Sequence, residues 1–187
     1  MLTAPPSRLL TLIVLASVVL MAKTGYTAGA KAVPAPAHRT LAAEGRMRLS
    51  DTDRCPVCAM YPARRPDTAA AMTLESGETY YFCGNGCLLR AWLRPAVYLG
   101  TSRDRIARIV VLDYFSGSPV DGRTATWVAG SDVVGPMGPA IVTLGEDRHL
   151  ETFKKRHGGT AVFAFENVDD DLWKRIGRRE LPPQEDQ

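Results

Sequence analysis

Histidine and cysteine are scarce in this chain, with three and four among 187 residues, and aromatic residues make up only 7%. Four cysteines are too few for a disulfide scaffold of this length, so ordinary side chains must build the core. An excess of charge is also missing. The 23 Lys and Arg residues face 20 Asp and Glu, for a net charge of +3. Two of those bases, Arg8 and Lys23, fall in an acid-free N-terminal stretch, which leaves the body nearly neutral. A nucleic-acid binder would need a basic stripe, so that class is excluded. There is no G-x-S-x-G, no H-E-x-x-H and no phosphate loop, so no motif marks an enzyme. The longest apolar run, Leu9 to Ala22, falls short of the roughly 20 residues of a membrane span.

What is present begins with that run. Arg8 precedes it and Ala28-Gly29-Ala30 follows it, which is the layout of a secretory signal with a small-residue cleavage site. Residues 1–30 are therefore expected to be an address, and the protein to act outside the cytoplasm. An uncleaved segment would anchor it, and that is its one route to a membrane. No cysteine near the run offers a lipid attachment point, and no Arg-Arg pair precedes it, so twin-arginine export is not indicated. Residues 31–50, with Pro34, Pro36 and His38, read as a flexible linker that buries little. Residues 178–187 read as a loose tail. The body is residues 51–177.

Within the body, 45% apolar and 23% charged residues over the whole chain are the composition of a globular protein. Ala70 to Leu74 and Thr79 to Phe82 read as a hairpin around Ser76-Gly77. Leu88, Leu89, Trp92 and Leu93 recur at helical spacing, and Pro95 ends or bends that helix. Ile106 to Phe115 reads as a central strand, stopped by Ser116-Gly117-Ser118-Pro119. The order then returns: a strand at 124–128, a loop holding Gly135-Pro136-Met137-Gly138-Pro139, a strand at 140–144, a helix at 147–156 and a strand at 160–165. Asp169-Asp170-Asp171 reads as the acidic start of a last short helix. The expected fold is α+β, with two similar β-β-α-β units packed as one domain.

The chemistry lies in Cys55-Pro56-Val57-Cys58-Ala59-Met60 and in Cys83-Gly84-Asn85-Gly86-Cys87. Two thiols two residues apart can face one point, and Met60 adds a thioether. Residues four apart at a helix start share a face, and a helix N-terminus lowers a thiol pKa. Thiolates and thioethers are soft donors that favour Cu(I). The same set could hold a structural zinc on four thiolates or form disulfides in an oxidising compartment. A thioredoxin-like pair fits less well, because Cys55 and Cys58 follow a linker. Met137, bracketed by glycine and proline, is a further candidate ligand. Met72 reads as core, and His149 and His157 as surface positions, His157 with a spare imidazole.

Cys58-Ala59-Met60-Tyr61-Pro62, Ile109 to Tyr114, Asp121 through Trp127 to Ser131, Pro136-Met137-Gly138, Phe153, His157-Gly158-Gly159 and Val162 to Glu166 follow one another in an order that resembles the NosL family of nitrous oxide reductase accessory proteins. The resemblance spans roughly residues 55–168. It implies a periplasmic Cu(I) metallochaperone that is not an enzyme, delivering copper to a receiving enzyme, nitrous oxide reductase. It also implies a repeated β-β-α-β fold. The family's Cys-Gly-Met motif falls on Cys58, Ala59 and Met60, and its Met-Gly motif on Met137 and Gly138. Alanine replaces the motif glycine, and the family's lipid-anchor cysteine is absent. Cys83 and Cys87 are additional and resemble the pair in small TRASH and YHS metal-binding domains. Cys58 and Met60 are then the expected primary ligands, joined by Met137, with Cys55, Cys83 and Cys87 auxiliary and zinc the alternative metal.

Overall fold

The computed structural model describes residues 35–37 and 40–177. The expected signal at 1–30, His38 in the linker and the tail at 178–187 lie outside the described residues. Among those described, no helix is long and apolar enough to cross a membrane.

The first sheet is built on short apolar and aromatic strands that are buried on both faces. Strands β1 (Ala70–Leu74) and β2 (Thr79–Phe82) pair antiparallel, Met72 opposite Tyr80, around a turn in which Gly77 has φ +88°. Strand β3 (Ile106–Leu112) lies antiparallel on the other edge of β1, with Met72 opposite Ile109. Ser116 to Ser118 does not end this sheet. The chain turns back into β4 (Pro119–Asp121), which pairs with β3 and gives the order β2-β1-β3-β4. Proline is tolerated here because β4 is an edge strand.

Helix α1 (Asn85–Leu93) follows β2 and buries Cys87, Leu88, Leu89, Ala91 and Leu93. Arg94 breaks it, and Pro95 takes the first turn of α2 (Pro95–Leu99), where its missing N–H is harmless. Buried Arg94 grips Asp170 with two hydrogen bonds of 2.9 and 2.7 Å. Asp170 opens α4 (Asp170–Arg175), and Asp169 caps that helix by accepting from Leu172 N–H. A distant acid thus ties the chain end to the α1–α2 corner.

The second sheet has the order β8-β5-β9, all antiparallel: β5 (Thr126–Ser131), β8 (Val142–Leu144) and β9 (Gly158–Ala164). In both sheets the first strand of the set is flanked by the next two. Helix α3 (Leu150–His157) joins β8 to β9 and sinks Phe153 into a small core with Val128 and Leu144. The segment read as a loop around Met137 is a ribbon, β6 (Val134–Gly135) against β7 (Gly138–Pro139), with Pro136 and Met137 at its tip. The sheets join where Tyr114 N–H donates to the Thr143 carbonyl at 2.9 Å and the Thr143 hydroxyl donates to the Leu112 carbonyl at 2.7 Å. One core spans both, from Met72 and Ile109 through Trp127 to Phe165.

Part of the expected linker is not loose. Leu41, Met47 and Leu49 pack against Ala71, Tyr81 and Val110, and Ala37 N–H donates to the Thr79 carbonyl at 2.8 Å. The physical reason lies in the strands. Tyr81 and Val110 point away from α1, and an apolar outer sheet face must be covered.

Candidate metal centre

The first cysteine pair is shaped by its own backbone. Ala59 N–H donates to the Cys55 carbonyl and Cys55 N–H to the Met60 carbonyl, both at 2.8 Å. This closed turn puts Ala59 at φ +61°, in the left-handed region that favours glycine. Arg54 donates to the Ala59 carbonyl at 3.0 Å and lies 3.8 Å over the Tyr61 ring, with Arg64 at 4.6 Å from the same ring. The second pair straddles a strand-to-helix junction. Cys83 follows β2, and Cys87 lies in the first turn of α1. Thr68 holds the Cys83 carbonyl at 2.8 Å. Asn85 reaches across to the Ile141 carbonyl at 3.0 Å and ties the helix start to the second sheet.

The two pairs meet. All four sulfurs lie within 4.8 Å of one another, with Cys58 to Cys83 at 3.4 Å and Cys83 to Cys87 at 3.7 Å. A zinc–sulfur bond of about 2.3 Å places tetrahedral sulfurs about 3.8 Å apart, so the cluster is already at the spacing of a thiolate-bound soft metal. The cysteines are free thiols rather than bridges. Cys55, Cys83 and Cys87 are buried, and Cys58 is half-buried.

Four thiols this close share their protons unequally. Hydrogen bonds from Cys55, Cys83 and Cys87, with the Met60 N–H, hold Cys58 well below the usual thiol range. Contact with Cys58 opposes ionisation of Cys55, but donation from Cys83 and Cys87 carries it below its ordinary value. Donation to Cys55 and Cys58 pushes Cys83 and Cys87 up, with burial adding to it. This reverses the expectation for Cys87: the helix start does not win over three neighbouring sulfurs. The cluster thus favours ionisation at Cys58 and opposes it at Cys83 and Cys87, so a cation that takes every sulfur must displace protons.

A cleft of about 420 Å³ opens beside the cluster. One wall is Cys83 to Cys87, the other the β6–β7 ribbon, and Tyr114 and Asp113 line it at the join of the sheets. Met137 lines the same cleft and is 47% exposed. Met60 is 36% exposed and does not line it. Its backbone borders the cluster through Cys55 and Cys58. Met72 is buried core, as read. His157 has no spare nitrogen: Nε2 meets the Tyr114 hydroxyl at 3.0 Å and Nδ1 meets Asp132 at 2.9 Å. Sequence reasoning missed Asn85 and Tyr114 as cleft residues. Asn85 was legible only as a helix start, and nothing local marks Tyr114.

Comparison with known proteins agrees with this architecture. The NosL family model matches residues 46–173. A protein of Stutzerimonas stutzeri named copper-binding lipoprotein NosL is 27% identical over 125 residues, or 65% of each chain. The chain thus spans 65% of the length of this curated relative. The crystal structure of the copper chaperone NosL from Shewanella denitrificans superposes with a TM-score of 0.56 at 19% identity, covering 70% of this chain and 99% of that one. That likeness shows a common α+β fold. With a match running from Arg46 to Trp173 over most of its length, this chain belongs to the NosL family.

Proposed function

We propose that this protein is a Cu(I)-binding metallochaperone that loads copper at the four-cysteine cluster and passes it to a copper enzyme. The observation that carries the reading is the meeting of Cys55, Cys58, Cys83 and Cys87 within 4.8 Å, in a chain whose relatives are named for copper. Cu(I) is soft, and sulfur is the donor that selects it. Cys58 is the half-buried thiolate from which loading starts. Met60, next along the loop, and Met137, in the adjoining cleft, supply thioethers that hold copper less tightly than thiolates and so suit transfer. Copper here is cargo, and the relatives are named as a copper-binding lipoprotein and a copper chaperone, so the protein is read as a carrier rather than an enzyme. Export by the run Leu9 to Ala22 would place it in the periplasm, and the family resemblance names nitrous oxide reductase as the receiving enzyme.

The test is an anaerobic Cu(I) competition titration of the purified protein, with thiols counted and zinc assayed beforehand. The reading expects tight Cu(I) uptake that is lost in Cys58→Ser while the fold survives. Unchanged affinity in Cys58→Ser would overturn it.

A second reading has its own support. The sulfur spacing suits a four-thiolate zinc site as well as a copper one, and structural zinc contributes folding energy. That reading expects co-purified zinc, no exchange for Cu(I), and unfolding on chelation.

A further inference from the structure

We propose that Cys58 is an oxidation site, and that a peroxide converts it and Cys83 into a disulfide that crosses between the two cysteine pairs and closes the metal site. The inference stands on the geometry of the sulfurs and goes beyond the carrier reading, because it assigns the cluster a second, oxidised state.

The four sulfurs differ in access. Cys55, Cys83 and Cys87 are 0%, 2% and 4% exposed, so a solute meets none of them first. Cys58 is half-buried and is followed by the exposed Ala59 and Met60. An oxidant therefore arrives at Cys58. They differ also in reach. The Cys58 sulfur lies 3.4 Å from that of Cys83, and a disulfide is about 2 Å long, so the pair needs only a short approach to bond. Spacing in the chain points instead to bridges within each pair. A bridge from Cys58 to Cys55 would have to form inside a turn already closed by two backbone hydrogen bonds, Ala59 N–H to the Cys55 carbonyl and Cys55 N–H to the Met60 carbonyl. Cys83 and Cys87 lie 3.7 Å apart, but both are shielded from the oxidant.

The chemistry balances in two steps. The Cys58 thiolate attacks one oxygen of hydrogen peroxide, the O–O bond breaks, and Cys58 becomes a sulfenic acid as hydroxide leaves. The Cys83 sulfur then attacks the Cys58 sulfur, the S–O bond breaks, and the Cys83 proton leaves with the oxygen as water. Two electrons pass from the two sulfurs to the peroxide. The bridge leaves only Cys55 and Cys87 as thiols, so the four-sulfur meeting point is lost. Metal and bridge are alternative occupants of the same sulfurs.

The experiment treats the full, metal-free, reduced protein with hydrogen peroxide, counts free thiols, and maps bridges by mass spectrometry of non-reduced peptides. Peroxide is then removed, and Cu(I) uptake is titrated without oxygen before and after treatment with dithiothreitol. The proposal expects thiols to fall from four to two, a Cys58–Cys83 bridge in the map, and Cu(I) affinity lowered by at least about tenfold until dithiothreitol restores it. A Cys55–Cys58 or Cys83–Cys87 bridge, Cys58 carried to sulfinic acid without a bridge, or unchanged Cu(I) affinity in the bridged protein would overturn it. Absence of Cu(I) uptake by the reduced protein would overturn the carrier reading, while the peptide map would still decide the oxidation site.

Discussion

The sulfurs of Cys58 and Cys83 lie 3.4 Å apart, although 25 residues separate them in the chain. One belongs to a loop closed on itself and the other to the end of a central hairpin. The two pairs therefore offer one soft cation up to four sulfurs at a single point. The expected consequence is that Cys58→Ser and Cys83→Ser each weaken Cu(I) binding by roughly 10²-fold or more, at least the upper range for loss of a supporting group around a metal. Competition titration of the two variants checks this, and a Cys83→Ser protein with unaltered affinity would remove the second pair from the site.

Metal loading should release protons. Cys83 and Cys87 hold their protons above the usual thiol range, whereas Cys58 and, less strongly, Cys55 are shifted below it. A metal that takes all four thiolates must displace the protons that Cys83 and Cys87 hold, so affinity rises with pH and falls as the medium is acidified. We expect release of at least about two protons per metal at neutral pH, those of Cys83 and Cys87. A weakly buffered titration with a pH indicator measures it, and release near zero would mean that Cys83 and Cys87 stay protonated and unbound.

Ala59 holds a left-handed conformation at φ +61°. An L-residue there carries a penalty of about 1–2 kcal/mol that glycine avoids, partly offset by the greater freedom of glycine in the unfolded chain. Ala59→Gly is expected to stabilise the protein by about 0.5–1 kcal/mol. Thermal or urea unfolding measures it, and a destabilised variant would contradict the assigned turn.

Arg94 and Asp170 join elements 76 residues apart, with Arg94 buried and the Asp170 side chain 42% exposed. The Arg94 hydrogen bonds hold the Asp170 carboxyl below the usual carboxylate range. The stability this supplies is complete above the unfolded-chain value near pH 4 and is lost as pH falls through the lower folded value. Asp170→Asn should cost about 2 kcal/mol, less than a fully buried pair because water screens the acid. Denaturant unfolding at neutral and acid pH tests both parts, since the difference between variant and parent should shrink in acid.

His157 anchors the approach to the Met137 ribbon. Its Nδ1 meets Asp132 at 2.9 Å, and Asp132 N–H donates to the His157 carbonyl at 2.9 Å. Removing the imidazole in His157→Ala should raise amide hydrogen exchange across residues 132–140 by about tenfold, the effect of losing about one hydrogen bond. Hydrogen-exchange mass spectrometry reads this, and unchanged protection would show that the ribbon is held by its own pairing.

The sequence by itself determined the local pieces of this protein. The helical spacing of Leu88, Leu89 and Leu93 and the aromatic run at 79–82 are local patterns, and the elements formed where they stood. The two cysteine pairs were also visible, because ligand spacing within a turn or along one helix face is a property of neighbours in the chain. Tertiary structure alone decided what those pieces meet. Serine and glycine at 116–118 looked like a stop, and only the free edge of β3 made them the turn into β4. The segment around Leu41, Met47 and Leu49 has no periodicity of its own, and its order comes from the apolar outer face of β1–β3. That Cys55 and Cys58 close on Cys83 and Cys87, while Met137 lines the cleft from the tip of the β6–β7 ribbon, depends on strand pairing and sheet joining across the chain. Such contacts follow from which faces must be buried together, a competition settled by the whole core and written in no short stretch of sequence.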